Sequence, residues 1–234
     1  IYFDNACMTL KPKQVIDAIN YYYNYLSACG GGRSSHALSV ETDELCENSR
    51  KNISRFIGCE KEEVIWVKNT TEGINLVAKT LNFKKGENVV CSILDHHSAI
   101  LPFWSLVNKG RLKEIRIVEI ENDYTIPIEK WEEKIDRKTK MVVINPTSNV
   151  TGTLMNEKDI MEIVKIAHEN GAFTLIDGAQ YVPHRKVDVK KLNVDFLSFS
   201  IHKMCGPTGL GVLYGKYDLL ESLEPFIVGG ETIR

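Results

Sequence analysis

The chain has no apolar run approaching the roughly 20 residues needed to cross a bilayer as a helix, and no leader-like pattern at its start. Its six cysteines, Cys7, Cys29, Cys46, Cys59, Cys91 and Cys205, are scattered without a C-x-x-C pair. That spacing argues against a zinc site and against a disulfide scaffold, and suits reduced thiols in the cytoplasm. A net charge of −2 gives no reason to expect nucleic acid or a membrane surface as partner. There is no internal repeat, low-complexity tract or Pro/Ser-rich linker, so nothing marks a domain boundary. What remains, 43% hydrophobic and 26% charged over 234 residues, is a globular composition sufficient for one large α/β domain or two small ones.

Short apolar runs recur at 64–67, 88–93, 115–118, 141–144, 173–176, 196–199 and 211–214. Most are continuous rather than alternating, as strands buried on both faces require. Helical patterns lie between them. The clearest spans 156–170, with Ile160, Ile163, Val164 and Ala167 on one face, Asn156 as cap and Gly171 at the exit. Strands alternating with helices predict a mostly parallel, doubly wound sheet, in which ligands collect at the carboxyl ends of the strands. Asn69, Asp95, Asn145, Asp177 and Ser200 follow apolar runs directly, which predicts that they share that edge.

Two of these strand ends carry a recognisable chemistry. The run ending at Ser200 continues into His202-Lys203 and a glycine-rich turn, Met204-Cys-Gly-Pro-Thr-Gly209. A lysine held beside hydroxyl and imidazole groups can condense with an aldehyde once its pKa is lowered, although a lysine after a strand is in isolation a surface residue. The run 173–176 ends in Asp177-Gly-Ala-Gln180. A carboxylate for a pyridinium nitrogen and a lysine for a Schiff base are what a protein supplies to pyridoxal 5′-phosphate.

With these motifs the chain resembles the class V aminotransferase family of fold type I, and within it the group II cysteine desulfurases and selenocysteine lyases. The resemblance runs from Tyr2-Phe-Asp-Asn-Ala6 and Lys11-Pro12, through Asn69-Thr-Thr-Glu-Gly73 and Asp95-His-His97, to Ser148-Asn-Val-Thr-Gly152, the lysine turn and Gly229-Gly-Glu. It implies the large, cofactor-binding domain of a fold type I transferase spanning 1–234, with an N-terminal segment and without the C-terminal small domain. The chain opens inside a strand-like run with no initiator Met, and reads as a fragment of a longer enzyme.

The resemblance also implies roles. Lys203 would carry the cofactor and move the substrate's α-proton, and Asp177 would hold the ring nitrogen protonated. Gln180 would hydrogen-bond the phenolic oxygen; the alternative is a polar residue at a helix start. Thr70 and Thr71, where strand gives way to a helix expected at 74–78, together with Ser200 and His202, would hold the phosphate. His96 would stack on the ring and assist proton transfer, whereas His97 reads as structural. Asn149 would sit near the phenolic oxygen and the substrate carboxylate, within a turn around Asn145-Pro146. His36, in a glycine-rich loop, is either a substrate-side residue or a plain loop histidine. Cys205 reads as a packed free thiol, since the family's nucleophilic cysteine and carboxylate-binding arginine belong to the C-terminal domain. Cys7-Met-Thr9 departs from the small residues usual after Asn5-Ala6.

The activity implied is release of sulfur from L-cysteine to give L-alanine and an enzyme persulfide, in a cytoplasmic homodimer that serves a sulfur-acceptor protein. The fragment alone is expected to be inactive. The alternatives are another class V aminotransferase, epimerase or lyase acting on a small amino acid, or an inactive scaffold, against which Lys203 and Asp177 argue.

Overall fold

In a computed structural model, which describes residues 1–229, every one of the apolar runs is a strand. The motif Gly229-Gly-Glu therefore lies outside the described residues beyond Gly229. The strands are β1 (Val64–Val67), β2 (Asn88–Ser92), β3 (Glu114–Val118), β4 (Thr139–Ile144), β5 (Phe173–Asp177), β6 (Phe196–Ser200) and β7 (Gly211–Gly215). They form one sheet in the order β1-β7-β6-β5-β4-β2-β3. All neighbours pair in parallel except at β7, which runs antiparallel to both β1 and β6.

Strand residues alternate between two cores, which is why the runs need no polar residues. Val90, Val142, Ile144, Ile176, Leu197 and Phe199 face one side. Val89, Cys91, Met141, Val143, Leu175 and Phe196 face the other. The first side is covered chiefly by α6 (Glu157–Glu169), whose Ile160, Ile163, Val164 and Ala167 are buried. Asn156 caps it by accepting from the Asp159 N–H at 2.9 Å, and Gly171 leaves it at φ +78°. The second side is covered by α3 (Thr70–Thr80) and α4 (His97–Asn108). The result is three layers with the sheet in the middle.

The remaining helices are α1 (Lys13–Tyr21), α2 (Ala37–Ile57) and the short α5 (Ile128–Glu132), α7 (Tyr181–His184), α8 (Val189–Leu192) and α9 (Tyr217–Ser222). Helix α1 buries none of its residues, and Ile1, Phe3, Tyr23, Tyr25, Leu101 and Trp104 are exposed. The opening residues form no strand: 1–4 lie outside the sheet, whose edge strands are β1 and β3.

Two close approaches fix the site. A Cβ on Gly73 would lie 2.2 Å from Ser198 Oγ, so α3 lies directly on β6. A Cβ on Gly211 would lie 2.7 Å from the Asn69 Cα, so the start of β7 passes under the turn that launches α3. That helix starts at Thr70, earlier than the expected 74–78, because the Asn69 side chain caps it by accepting from the Glu72 N–H at 2.9 Å.

Candidate active site

A cleft of about 210 Å³ opens at the carboxyl edge of the sheet. It gathers Thr70 and Thr71 from α3, His96 before α4, Asn149 after β4, Asp177 and Gln180 after β5, and Ser200, His202 and Lys203 after β6. Nine of the ten sequence-derived site residues thus meet in one place, drawn from five strand ends of a sheet whose strands point the same way there.

His36 is the exception. It does not line the cleft; it caps α2, its Nδ1 accepting from the Ser39 N–H at 3.3 Å. Asp95 sits at the expected edge but turns into the protein, accepting from the Ser92 N–H at 2.8 Å and the Ser92 hydroxyl at 3.1 Å. Burial pushes its carboxyl up to about 7. His97 is the exposed first residue of α4, outside the cleft. Cys205 is not packed: it is exposed, in a left-handed conformation at φ +67°.

Within the cleft, Lys203 ends a single 3₁₀ turn, Ile201–Lys203, and its amine has no hydrogen-bond or ion-pair partner among the described residues. Asp177 is 3% exposed. One of its oxygens accepts the Ala179 N–H at 3.0 Å, and no cationic side chain pairs with it among the described residues. Burial raises its pKa, while that hydrogen bond and the nearby His96 and Lys203 pull the other way. His96 accepts the Ser98 N–H on Nδ1 at 3.2 Å, so a neutral ring carries its proton on Nε2. His202 has its pKa lowered by burial and by the charges of Lys203 and Lys11, so it meets the cleft as a neutral imidazole at pH 7.

Ser200 receives both the Thr70 N–H, at 2.8 Å, and a hydroxyl contact with Thr70 Oγ1 at 2.7 Å. Thr70 is therefore satisfied by protein, while the exposed Thr71, at the positive end of α3, has no partner for its hydroxyl or N–H among the described residues. Gln180 spends one amide hydrogen on the Ala6 carbonyl at 2.6 Å, which leaves its second hydrogen and its oxygen for the cleft.

Sequence reasoning missed Thr147. It lines the cleft, and its hydroxyl is buried without a partner. The signal was its place between Asn145 and Asn149, in a turn that carries a site residue.

These residues fit pyridoxal 5′-phosphate. A buried carboxylate without an ion pair among the described residues suits a protonated ring nitrogen, a lysine amine equally unpaired suits an aldehyde carbon, and the open start of α3 suits a phosphate. No group of side chains suited to a metal ion occurs among the described residues, nor any helix long and apolar enough to cross a membrane.

A helix-covered, mostly parallel sheet with a free lysine and a buried carboxylate at its carboxyl edge defines the cofactor-binding scaffold of an α/β enzyme. The chain belongs to the class V aminotransferase family, whose model matches residues 1–234. It is 40% identical over 240 residues to a cysteine desulfurase of Haloferax volcanii, an alignment that covers 100% of this chain and 55% of that protein. A probable cysteine desulfurase of Halalkalibacterium halodurans is 42% identical over 237 residues, with 100% and 57% covered. The apo structure of a cysteine desulfurase from Thermococcus onnurineus superposes with a TM-score of 0.91 at 39% identity, covering 100% of this chain and 58% of that one. The chain thus spans little more than half the length of these relatives.

Proposed function

We propose that the chain is the cofactor-binding domain of a pyridoxal 5′-phosphate-dependent cysteine desulfurase, converting L-cysteine to L-alanine and passing the sulfur atom to a cysteine thiol of the whole protein. The observation that carries this reading is the buried carboxylate of Asp177, near Lys203 in one cleft, with neither group in an ion pair or, for the lysine amine, a hydrogen bond among the described residues. The named relatives support cysteine over other small amino acids as substrate.

Bound there, the cofactor supplies an electron sink for the carbon–hydrogen and carbon–sulfur bonds of the amino acid. Asp177, buried at the cleft, would face the ring nitrogen and favour its protonated form. Thr71, the N-terminus of α3 and His202 hold the phosphate, with Ser200 fixing that terminus through Thr70. His96, Gln180 and Asn149 line the cleft, where His96 would face the ring and Gln180 and Asn149 would hold its phenolic oxygen and the substrate's carboxylate side. Lys203 would take the proton from the substrate's α-carbon and return one on the way to alanine.

The exposed apolar residues of the N-terminal region and α4 support a homodimer, and the six unpaired thiols support a cytoplasmic setting. A sulfur-acceptor protein completes the reading. The test is the full-length protein with cysteine and a reductant: sulfide and alanine in equal amounts are expected. A keto acid with no sulfide would replace this function with an aminotransferase.

A further inference from the structure

The turn that carries Lys203 is opened by a residue from the far end of the chain. A continuing 3₁₀ turn would send the Cys205 N–H to the His202 carbonyl, three residues back. Instead the hydroxyl of Thr9 stands between them, accepting from the Cys205 N–H at 2.7 Å and donating to the His202 carbonyl at 2.9 Å. That carbonyl also receives the Thr9 N–H at 3.1 Å and the Lys11 ammonium at 3.1 Å. The Lys11 ammonium in turn holds the Thr9 carbonyl at 2.6 Å, and Gln180 ties Ala6 to the same cleft. Within its own segment the turn has little else: the Met204 and Gly206 N–H groups on the Ile201 carbonyl, and the Ile201 N–H on the Leu210 carbonyl. Met204 and Cys205 leave helical geometry at once, Cys205 at φ +67°.

We propose that Thr9, with Lys11 behind it, is a positioning residue that wedges this turn open and so sets the direction in which Lys203 enters the cleft. The proposal rests on Lys203 being the cofactor-carrying lysine. The chemistry of the wedge is specific: one hydroxyl acts as acceptor and donor at once, so that valine, equal in size, can do neither. Without it the 202-to-205 bond can close on itself and swing the lysine between its two flanking peptide groups. A misdirection on the order of 1 Å at a reacting amine lowers a rate by up to about a hundredfold.

The experiment uses the full-length protein with Thr9→Val, Thr9→Ser and Lys11→Met. In cofactor-loaded protein, the pH titration of the visible absorbance reads the lysine's bond to the cofactor. Thr9→Val is expected to move its midpoint by about half a unit or more and to lower kcat about tenfold with KM little changed. Thr9→Ser is expected to restore both. Lys11→Met removes the ammonium that ties the Thr9 carbonyl to the His202 carbonyl and is expected to lower kcat about threefold and to change Cys205 labelling in the direction of Thr9→Val; if Thr9→Val does not fold, Lys11→Met equal to wild type in both overturns the proposal. In cofactor-free protein, peptide-resolved maleimide labelling is expected to change at Cys205 by about threefold or more in Thr9→Val, and not in Thr9→Ser. A Thr9→Val protein equal to wild type in titration, kcat and labelling overturns the proposal, as does Thr9→Ser behaving like Thr9→Val. A wild-type protein that binds no pyridoxal phosphate at Lys203 instead overturns the functional reading, and the labelling result still decides the wedge.

Discussion

Ser200 and Thr70, 130 positions apart, share a buried pair of contacts in which the serine hydroxyl takes the first N–H of α3 at 2.8 Å and lies 2.7 Å from the threonine hydroxyl. The strand that delivers the lysine and the helix that faces the phosphate are thereby one rigid piece. Ser200→Ala leaves both Thr70 groups buried without a partner, and an orphaned polar group costs about 1–3 kcal/mol. Urea unfolding should show a loss in that range. Pyridoxal phosphate should also bind less tightly, by a ratio read from fluorescence titration. An unchanged unfolding midpoint would mean the contact contributes nothing.

Borohydride reduction of the full-length, cofactor-loaded protein should fix the cofactor to Lys203, identified by peptide mapping. Lys203→Ala should remain folded, since the lysine side chain makes no hydrogen bond or ion pair, and should have no turnover. Label at Lys79 or Lys216 would end the assignment; Lys216 is committed to Asp195 at 2.7 Å.

Asp95 predicts a pH dependence of stability. Burial moves its carboxyl from 3.8 up to about 7, so between those values the folded chain holds a proton that the unfolded chain has released. Its contribution is fully present below 3.8 and falls as pH rises toward 7. Asp95→Asn, which keeps an acceptor for the Ser92 N–H but no charge, should lose less stability over that interval than wild type. Denaturant midpoints measured across it should converge at the acid end. Parallel curves would show that Asp95 is ionised throughout.

Gly73→Ala should destabilise the fold by about 1–3 kcal/mol, the range for forcing a methyl into a packed contact. The new carbon would meet Ser198 Oγ at 2.2 Å and push α3 off β6. Cofactor affinity should fall with it, and a double variant with Ser198→Ala should recover part of the loss. No recovery would place the cost elsewhere.

The strands were legible because a run such as 141–144 can be buried only inside a helix-covered sheet, and the site edge was legible because polar residues sit where those runs stop. Direction was not: β7 has the same apolar signature as its neighbours, and nothing in Gly-Val-Leu-Tyr says that it runs backwards. Nor could the sequence separate Thr70 from Thr71, since only packing against Ser200 decides which of the two hydroxyls is spent. The settings of His36 and Cys205 were not legible for a related reason. A capping histidine and a left-handed cysteine are both local-geometry facts, with no periodicity to announce them. Thr9 was invisible because its partners, His202 and Cys205, lie almost the whole chain away.

The reversed strand has a consequence for how the molecule comes into being on a ribosome. Strand β1 is made early but pairs only with β7, the last strand of the described residues to be made, and Gly211 of β7 is also what lets the Asn69 turn settle. Until β7 emerges, β1 has no strand to pair with, and the Asn69 turn lacks the strand that passes under it, although β6 can already carry the Thr70 end of α3. Parallel pairing of β4, β5 and β6 can proceed meanwhile. The centre of the sheet can thus be laid down before β1 joins it, since the β1–β7 pairing closes a longer loop than any of the parallel pairs. Nascent chains halted before Gly211 should therefore hold a folded core that cannot yet receive a phosphate.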